Sequence, residues 1–162
     1  MLYKTQTPAC FHADKMYPLA NGSFASVVLG KGRYKGKICV DIRKYSVYQE
    51  KLVPGNGIAI PSSIWDDIIS NLDKIEETLA TKDLKQAYSV EYENGLLTTL
   101  LKIEYFHGEN RLDIREHYRS AEGDLRPTTR GCNLTLEAFV ELKKVLKTLK
   151  GDRTVFEVFV RE

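Results

Sequence analysis

Apolar and polar residues alternate strictly in two stretches of the chain, the period-2 pattern typical of strands with one buried face. In Lys37–Arg43, the apolar Ile38, Val40 and Ile42 alternate with mainly polar or charged residues. The same pattern returns in Arg111–Arg115. Each stretch therefore predicts a strand with its apolar side turned towards a core and its charged side turned away from it.

Apolar residues at helical spacing follow each of these strand-rich regions. The first set runs from Ile64 to Leu79, and Ser62 or Ser63 is placed to cap its helix. Thr135 precedes the second set, whose apolar face begins at Phe139. The sequence thus predicts a helix at the end of each half.

The two halves also share short motifs in the same order. V-D-I-R-K-Y at 40–45 matches L-D-I-R-E-H at 112–117, and the offset between matched positions stays between 72 and 74 along the chain. The other matches are Asn21-Gly22 with Asn94-Gly95, Gly36 with Gly108, Leu52-x-Pro54 with Leu125-x-Pro127, Gly57 with Gly131, and Trp65 with Phe139. This order favours two diverged copies of one module.

Turn signals complete each module. Asn-Gly between apolar stretches indicates a hairpin, and a loop rich in Pro and Gly precedes a short strand at Gly57–Ile60 or Gly131–Leu134. The fold class predicted is α+β: two repeats of a four-stranded antiparallel sheet followed by a helix, with the helices paired in an intramolecular pseudo-dimer. The expected segments are 1–15 (lead-in), 16–80 (first repeat), 81–87 (linker), 88–150 (second repeat) and 151–162 (a last strand).

A sheet covered by a helix on one face leaves its other face open, and basic and aromatic residues are predicted there. Lys31, Arg33, Lys35 and Lys37 occupy alternate positions, which extended chain would place on one side. Cations neutralise phosphates and rings stack on unpaired bases, so this composition favours single-stranded nucleic acid. The alternative for a short basic run is a solvated surface, and for tyrosines in strands it is half-buried packing.

Composition narrows the functional classes. The formal net charge is only +2, which argues weakly for a nucleic-acid partner. Three scattered cysteines suggest no disulfide framework or metal site, and they favour a reducing compartment. Neither a catalytic constellation nor a glycine-rich phosphate loop is recognisable. We therefore predict no enzyme, no cofactor, no metal site, and no signal peptide or membrane span.

The run Tyr34-Lys-Gly-Lys-Ile-Cys-Val-Asp-Ile-Arg-Lys-Tyr45, followed by Leu52-Val-Pro-Gly-Asn-Gly-Ile-Ala-Ile60 and a helix with Trp65, resembles the single-stranded-DNA-binding domain of the transcriptional coactivator positive cofactor four. Asp113-Ile-Arg-Glu-His-Tyr in the second half resembles the same domain. The resemblance implies curved four-stranded sheets with paired helices and channels for unpaired strands. Ser46, Asn56 and Glu109 depart from the family pattern, so each half-site is incomplete.

The nucleic-acid-binding residues expected from the composition and the resemblance together are Lys31, Arg33, Tyr34, Lys35, Lys37, Arg43, Tyr45, Tyr48, Phe106, Arg111, Arg115, Tyr118, Arg119 and Arg130. The function predicted is sequence-tolerant binding of single-stranded DNA, including melted duplex, in transcription or replication. A protein-interaction module of the coactivator type and an RNA-binding protein of the Pur or Whirly type remain alternatives. The resemblance also implies an intracellular site of action, in the nucleus or a DNA-virus factory, with transcription or replication proteins as partners. Further homodimerisation remains open.

Overall fold

The computed structural model describes residues 4–5, 17–19, 22–29, 34–81 and 88–151. The strands of the first half are β1 (Lys4–Thr5), β2 (Tyr17–Pro18), β3 (Ser23–Leu29), β4 (Ile38–Tyr48) and β5 (Lys51–Pro61), and its helices are α1 (Ser62–Ser70) and α2 (Leu72–Ala80). The second half contains β6 (Ser89–Asn94), β7 (Leu97–Phe106), β8 (Glu109–Arg119), β9 (Leu125–Leu134) and α3 (Leu136–Gly151).

Each half forms its own sheet. The first has the strand order β1-β5-β4-β3-β2 and the second has the order β6-β7-β8-β9. Strands β2 to β5 and β6 to β9 are antiparallel meanders, whereas β1 pairs in parallel with β5. The predicted α+β class, with four antiparallel strands and helical structure in each half, is confirmed. The added β1 had no recognisable signal in the sequence.

Both sheets contain a β-bulge at the same place. The pairings on either side of it are Arg43–Gly57 and Tyr45–Pro54 in the first sheet, and Arg115–Gly131 and His117–Pro127 in the second. Each residue in the first-sheet pairs corresponds to the residue 72 to 74 positions later in the second-sheet pairs, as in the repeated motifs. The two sheets therefore share a register as well as a strand order.

A single core joins the halves. The helices α2 and α3 contact each other, and strand β5 contacts β9. Trp65 and Phe139, matched in the sequence, are 2% and 0% exposed within one apolar cluster that contains residues of both halves. Lys143 on α3 forms ion pairs with Asp73 and Glu76 on α2. The predicted pseudo-dimer with paired helices is confirmed.

The predicted boundaries of several strands and turns were wrong. Strand β5 begins at Lys51, and β9 begins at Leu125, so the Pro- and Gly-containing segments expected as loops are strand with a bulge. The tight turn before β5 is Gln49–Glu50, where both residues have positive φ (49° and 61°). In the second half, Asn94 pairs with Leu97, so Gly95 rather than Asn94 begins the two-residue turn.

The first helix also differs from the prediction. It ends at Ser70 and restarts at Leu72, because the side chains of Ser70 and Asn71 donate hydrogen bonds to the carbonyl of Asp67 and compete with the helical backbone. Pro61, not a serine, occupies the N-cap of α1. Thr135 does cap the start of α3, since its hydroxyl accepts a hydrogen bond from the backbone N–H of Ala138 (3.2 Å).

The predicted segment boundaries remain predictions. Most of 1–15 and 81–87, and all of 152–162, lie outside the described residues, and so does the strand expected after α3.

Candidate nucleic-acid interface

The side of β7, β8 and β9 that faces away from the helices forms an open groove of about 650 Å³. We call it the second outer face, because it is the outer face of the sheet in the second half. Alternation places odd-numbered β8 residues here, while Leu112 and Ile114 point into the core. The groove is lined by Leu100, Lys102, Glu104, Phe106, Arg111, Asp113, Arg115, His117, Leu125, Pro127 and Asn133. The predicted residues Phe106, Arg111 and Arg115 are thus brought together.

All four cations of β7 and β8 are paired with acids. Lys102 pairs with Glu104, Arg111 with Glu109 (2.8 Å) and Arg115 with Asp113 (3.1 Å). Arg119, at the end of β8, lies 3.7 Å from both Glu91 and Glu93 on β6. The second outer face is therefore a ladder of opposite charges rather than a basic patch, and a phosphate must compete with a carboxylate for each cation.

The Asp-Ile-Arg motif builds the same fork in both halves. Arg43 donates two hydrogen bonds to Asp41, both at 3.2 Å, and one to the carbonyl of Gly55 at 2.8 Å. Arg115 donates to Asp113 at 3.1 and 3.2 Å and to the carbonyl of Thr128 at 2.9 Å.

The fork ties the middle strand to the bulged one. Asp41 and Asp113 are structural partners of the arginines. Burial raises the pKa of Asp41, against the opposing hydrogen bonds from Arg43. In each guanidinium, both terminal nitrogens keep one N–H that the fork does not use and that can be donated to another acceptor.

Phe106 is the aromatic ring of the groove. Its side chain is 52% exposed, the guanidinium of Arg111 lies 5.4 Å from its ring centre, and His107 contacts it edge-on. A ring that carries a cation on one side and solvent on the other suits base stacking. Neighbouring Tyr105, 57% exposed, points to the opposite side of β7 and lines a different groove with Leu136.

Other predicted residues of the second half lie away from this groove. Tyr118 is 45% exposed but occupies the opposite side of β8, across from Arg126 on β9. Arg130 is 74% exposed, and its guanidinium lies 3.8 Å from buried Glu116. The predicted set is therefore divided between the two sides of the sheet.

In the first half, two of the expected stacking rings are buried, so their predicted exposure was wrong. Tyr34 is 5% exposed and packs with Cys39 and Ala59. Tyr45 is 9% exposed and meets Phe24 edge-on, with ring centres 5.4 Å apart.

The prediction that these basic residues form a row on extended chain was also wrong for the part that the structure describes. Tyr34–Lys37 forms a turn, closed by a hydrogen bond from the N–H of Lys37 to the carbonyl of Tyr34 (2.9 Å), and glycine at 36 has a φ of +80°. Lys35 and Lys37 are exposed at this turn. Lys31 and Arg33 lie outside the described residues. Tyr48, 66% exposed, stands at the tip of the β4–β5 hairpin.

Sequence reasoning missed several residues of the groove. Lys102 and Glu104 alternate with apolar residues on β7, so extending the period-2 pattern along that strand would have placed them beside Phe106. Asn133 had no such signal, because it joins the face only through the pairing of β9 with Asp113 on β8.

Two further observations restrict the chemistry of the described residues. No helix among them is long and apolar enough to cross a membrane. Within these same parts of the chain, no cluster of three or more His, Cys, Asp or Glu side chains is placed to hold a metal ion.

Comparison with known proteins singles out the same region of the chain. A search of curated proteins returns no match. Residues 99–145, which run from β7 through α3 and include most of the second outer face, match the family described as transcriptional coactivator p15 (PC4).

Proposed function

We propose that the chain is a sequence-tolerant single-stranded-DNA-binding protein acting in transcription or replication, and that it binds the unpaired strand on the second outer face. One observation carries the proposal: the segment that matches a transcriptional coactivator family is the one that builds a groove with an exposed ring and three arginines or lysines. The coincident bulges and Asp–Arg forks also support an origin of both halves from one duplicated module.

The chemistry of the groove suits bases and phosphates together. Stacking of one base on Phe106 contributes about 1–3 kcal/mol, and its exposed ring needs no rearrangement to receive one. Arg111 and Arg115 are held by acids at their edges, yet both retain N–H groups that can reach a phosphate. These contacts recognise features common to every nucleotide, so they provide little discrimination between sequences.

The ladder of ion pairs favours a second candidate, a protein-interaction module. A surface with matched positive and negative charges complements another mixed surface at least as well as it complements a polyanion. Pull-down from nuclease-treated extract tests this candidate. Partners retained after the nuclease treatment support it, and loss of every partner counts against it.

Fluorescence anisotropy with labelled oligo-dT tests the leading proposal. Phe106→Ala should weaken binding about 5- to 150-fold, the loss of one stacked base. Tyr105→Ala is the matched control, because this neighbouring ring is equally exposed on the other side of the strand. Equal affinities of the two variants would refute the groove as the binding site. Competition by matched duplex and RNA oligomers distinguishes single-stranded DNA binding from RNA binding.

A further inference from the structure

Equivalent aromatic rings of the two halves adopt opposite positions. Tyr34 and Phe106 are offset by 72 residues, and each stands two residues before a glycine with positive φ (80° at Gly36, 89° at Gly108). The turns themselves differ, because His107, which stands between Phe106 and Gly108, has a φ of 48°, whereas Lys35 at the equivalent position has no positive φ. Tyr34 is 5% exposed and Phe106 is 52% exposed.

The residues near each ring also differ. Tyr34 packs on Cys39 and Ala59, two small side chains that lie on the side of β4 and β5 facing away from the core. We call Cys39 and Ala59 the seat of the ring. In the second half the equivalent positions carry Arg111 and Asn133, which contact each other at 3.5 Å. Their larger polar side chains occupy the corresponding space, and Arg111 lies against the ring of Phe106 instead.

The seated ring belongs to a closed surface. Ser26 and Asp41, which pair across β3 and β4 on this same side of the sheet, are 3% and 6% exposed. The side chain of Asp41 is 8% exposed, compared with 23% for its counterpart Asp113 in the groove. At the equivalent place in the first half, a strand of nucleic acid therefore meets a buried aspartate and a buried ring, while the side chain of Arg43 is 28% exposed, similar to the 24% of Arg115.

We infer that each chain binds one single strand, on the second outer face alone, because Tyr34 seated on Cys39 and Ala59 closes the equivalent face of the first half. The inference rests on the proposed function and adds its stoichiometry. The two halves differ at two positions of each sheet, which carry small residues in the first half and larger polar ones in the second, and also in the turn that follows each ring.

Stoichiometric titration tests the number of sites. A short labelled oligo-dT, at concentrations well above its Kd, is titrated with the full chain and followed by anisotropy. The expected break comes at one strand per chain. A break at two strands per chain would overturn the inference and leave the proposed function standing, whereas no binding at all would overturn both.

Reaction of Cys39 with a maleimide tests the closure without nucleic acid. In a Cys10→Ser background, the buried thiols of Cys39 and Cys132 should react slowly. Tyr34→Ala should expose Cys39 and speed the reaction of that thiol at least 10-fold, while Tyr34→Phe should keep it protected.

Cys132 reports on folding in the same experiment, because it is buried in the core far from the seat in sequence. If both thiols become reactive in Tyr34→Ala, the variant has lost its fold. The test then depends on whether the thiol of Cys39 stays protected in Tyr34→Phe. An unreactive Cys39 in folded Tyr34→Ala, or a reactive one in Tyr34→Phe, would contradict closure by the ring.

Discussion

Glu109→Gln should strengthen binding of single-stranded DNA by releasing Arg111. The carboxylate of Glu109 accepts a hydrogen bond from Nε of Arg111 at 2.9 Å, and Nη2 of Arg111 forms an ion pair with the same oxygen at 2.8 Å. Glutamine keeps the shape and an acceptor oxygen but removes the negative charge. Both side chains are partly exposed, 46% and 31%, so the change should alter the free energy of unfolding by less than about 1 kcal/mol.

The magnitude follows from counterion release. One additional phosphate contact on a single strand steepens the slope of log K against log salt by about 0.7. When the salt concentration is lowered from 200 to 50 mM, the affinity of the variant should therefore rise about threefold more than the affinity of the unmodified chain. Removing the nearby negative charge also reduces repulsion of the phosphate, so the gain should be largest at low salt.

Anisotropy titrations of oligo-dT at several salt concentrations measure this slope. Glu77→Gln is the control, since it removes an exposed acid from α2, outside the groove. An unchanged slope for Glu109→Gln, or the same change in both variants, would refute the idea that acids on the second outer face compete with phosphate.

Two further predictions concern stability. Gly57→Ala would place a Cβ 2.5 Å from the carbonyl oxygen of Ile42, so it should lower the free energy of unfolding in urea by about 1–3 kcal/mol. Gly55→Ala, whose Cβ would lie 3.3 Å from its nearest neighbour, should cost less, and equal losses would contradict close packing at the bulge. Burial and Asp67 raise the pKa of Tyr92 to about 12. The folded-state pKa of Tyr92 exceeds the ordinary value near 10. The stability that protonated Tyr92 contributes is therefore present below about pH 10 and is lost as pH rises towards 12. Tyr92→Phe should flatten this dependence in denaturation measured across that range, and an unchanged pH dependence would count against it.

Much of the architecture was predictable because local patterns agree with the fold. The alternation around Val40 and Leu112 identified the middle strands, and the repeated Asp-Ile-Arg motif aligned the two sheets. Each Asp and Arg of this motif lies on the same side of one strand, two residues apart, so their fork follows from strand geometry alone.

The positions of the rings were not predictable in this way. Tyr34 and Phe106 occupy matched positions, each two residues before a glycine, but their exposure also depends on partners elsewhere in the chain, such as Ala59 and Asn133 on the last strand of each sheet. The bulge that brings those partners into register was hidden in segments that resemble loops, because proline and glycine also tolerate bulged strand. Net charge likewise gave no sign that every cation of β7 and β8 has an acid beside it.

Amide chemical-shift mapping by NMR locates the surface that binds single-stranded DNA. The isotope-labelled chain is titrated with oligo-dT, and the affected backbone amides are assigned. Binding on the second outer face alone should give changes concentrated around Phe106, Arg111 and Arg115, with β3 to β5 little affected. Changes concentrated around Asp41 and Arg43 in the first half, or none in the second, would contradict it.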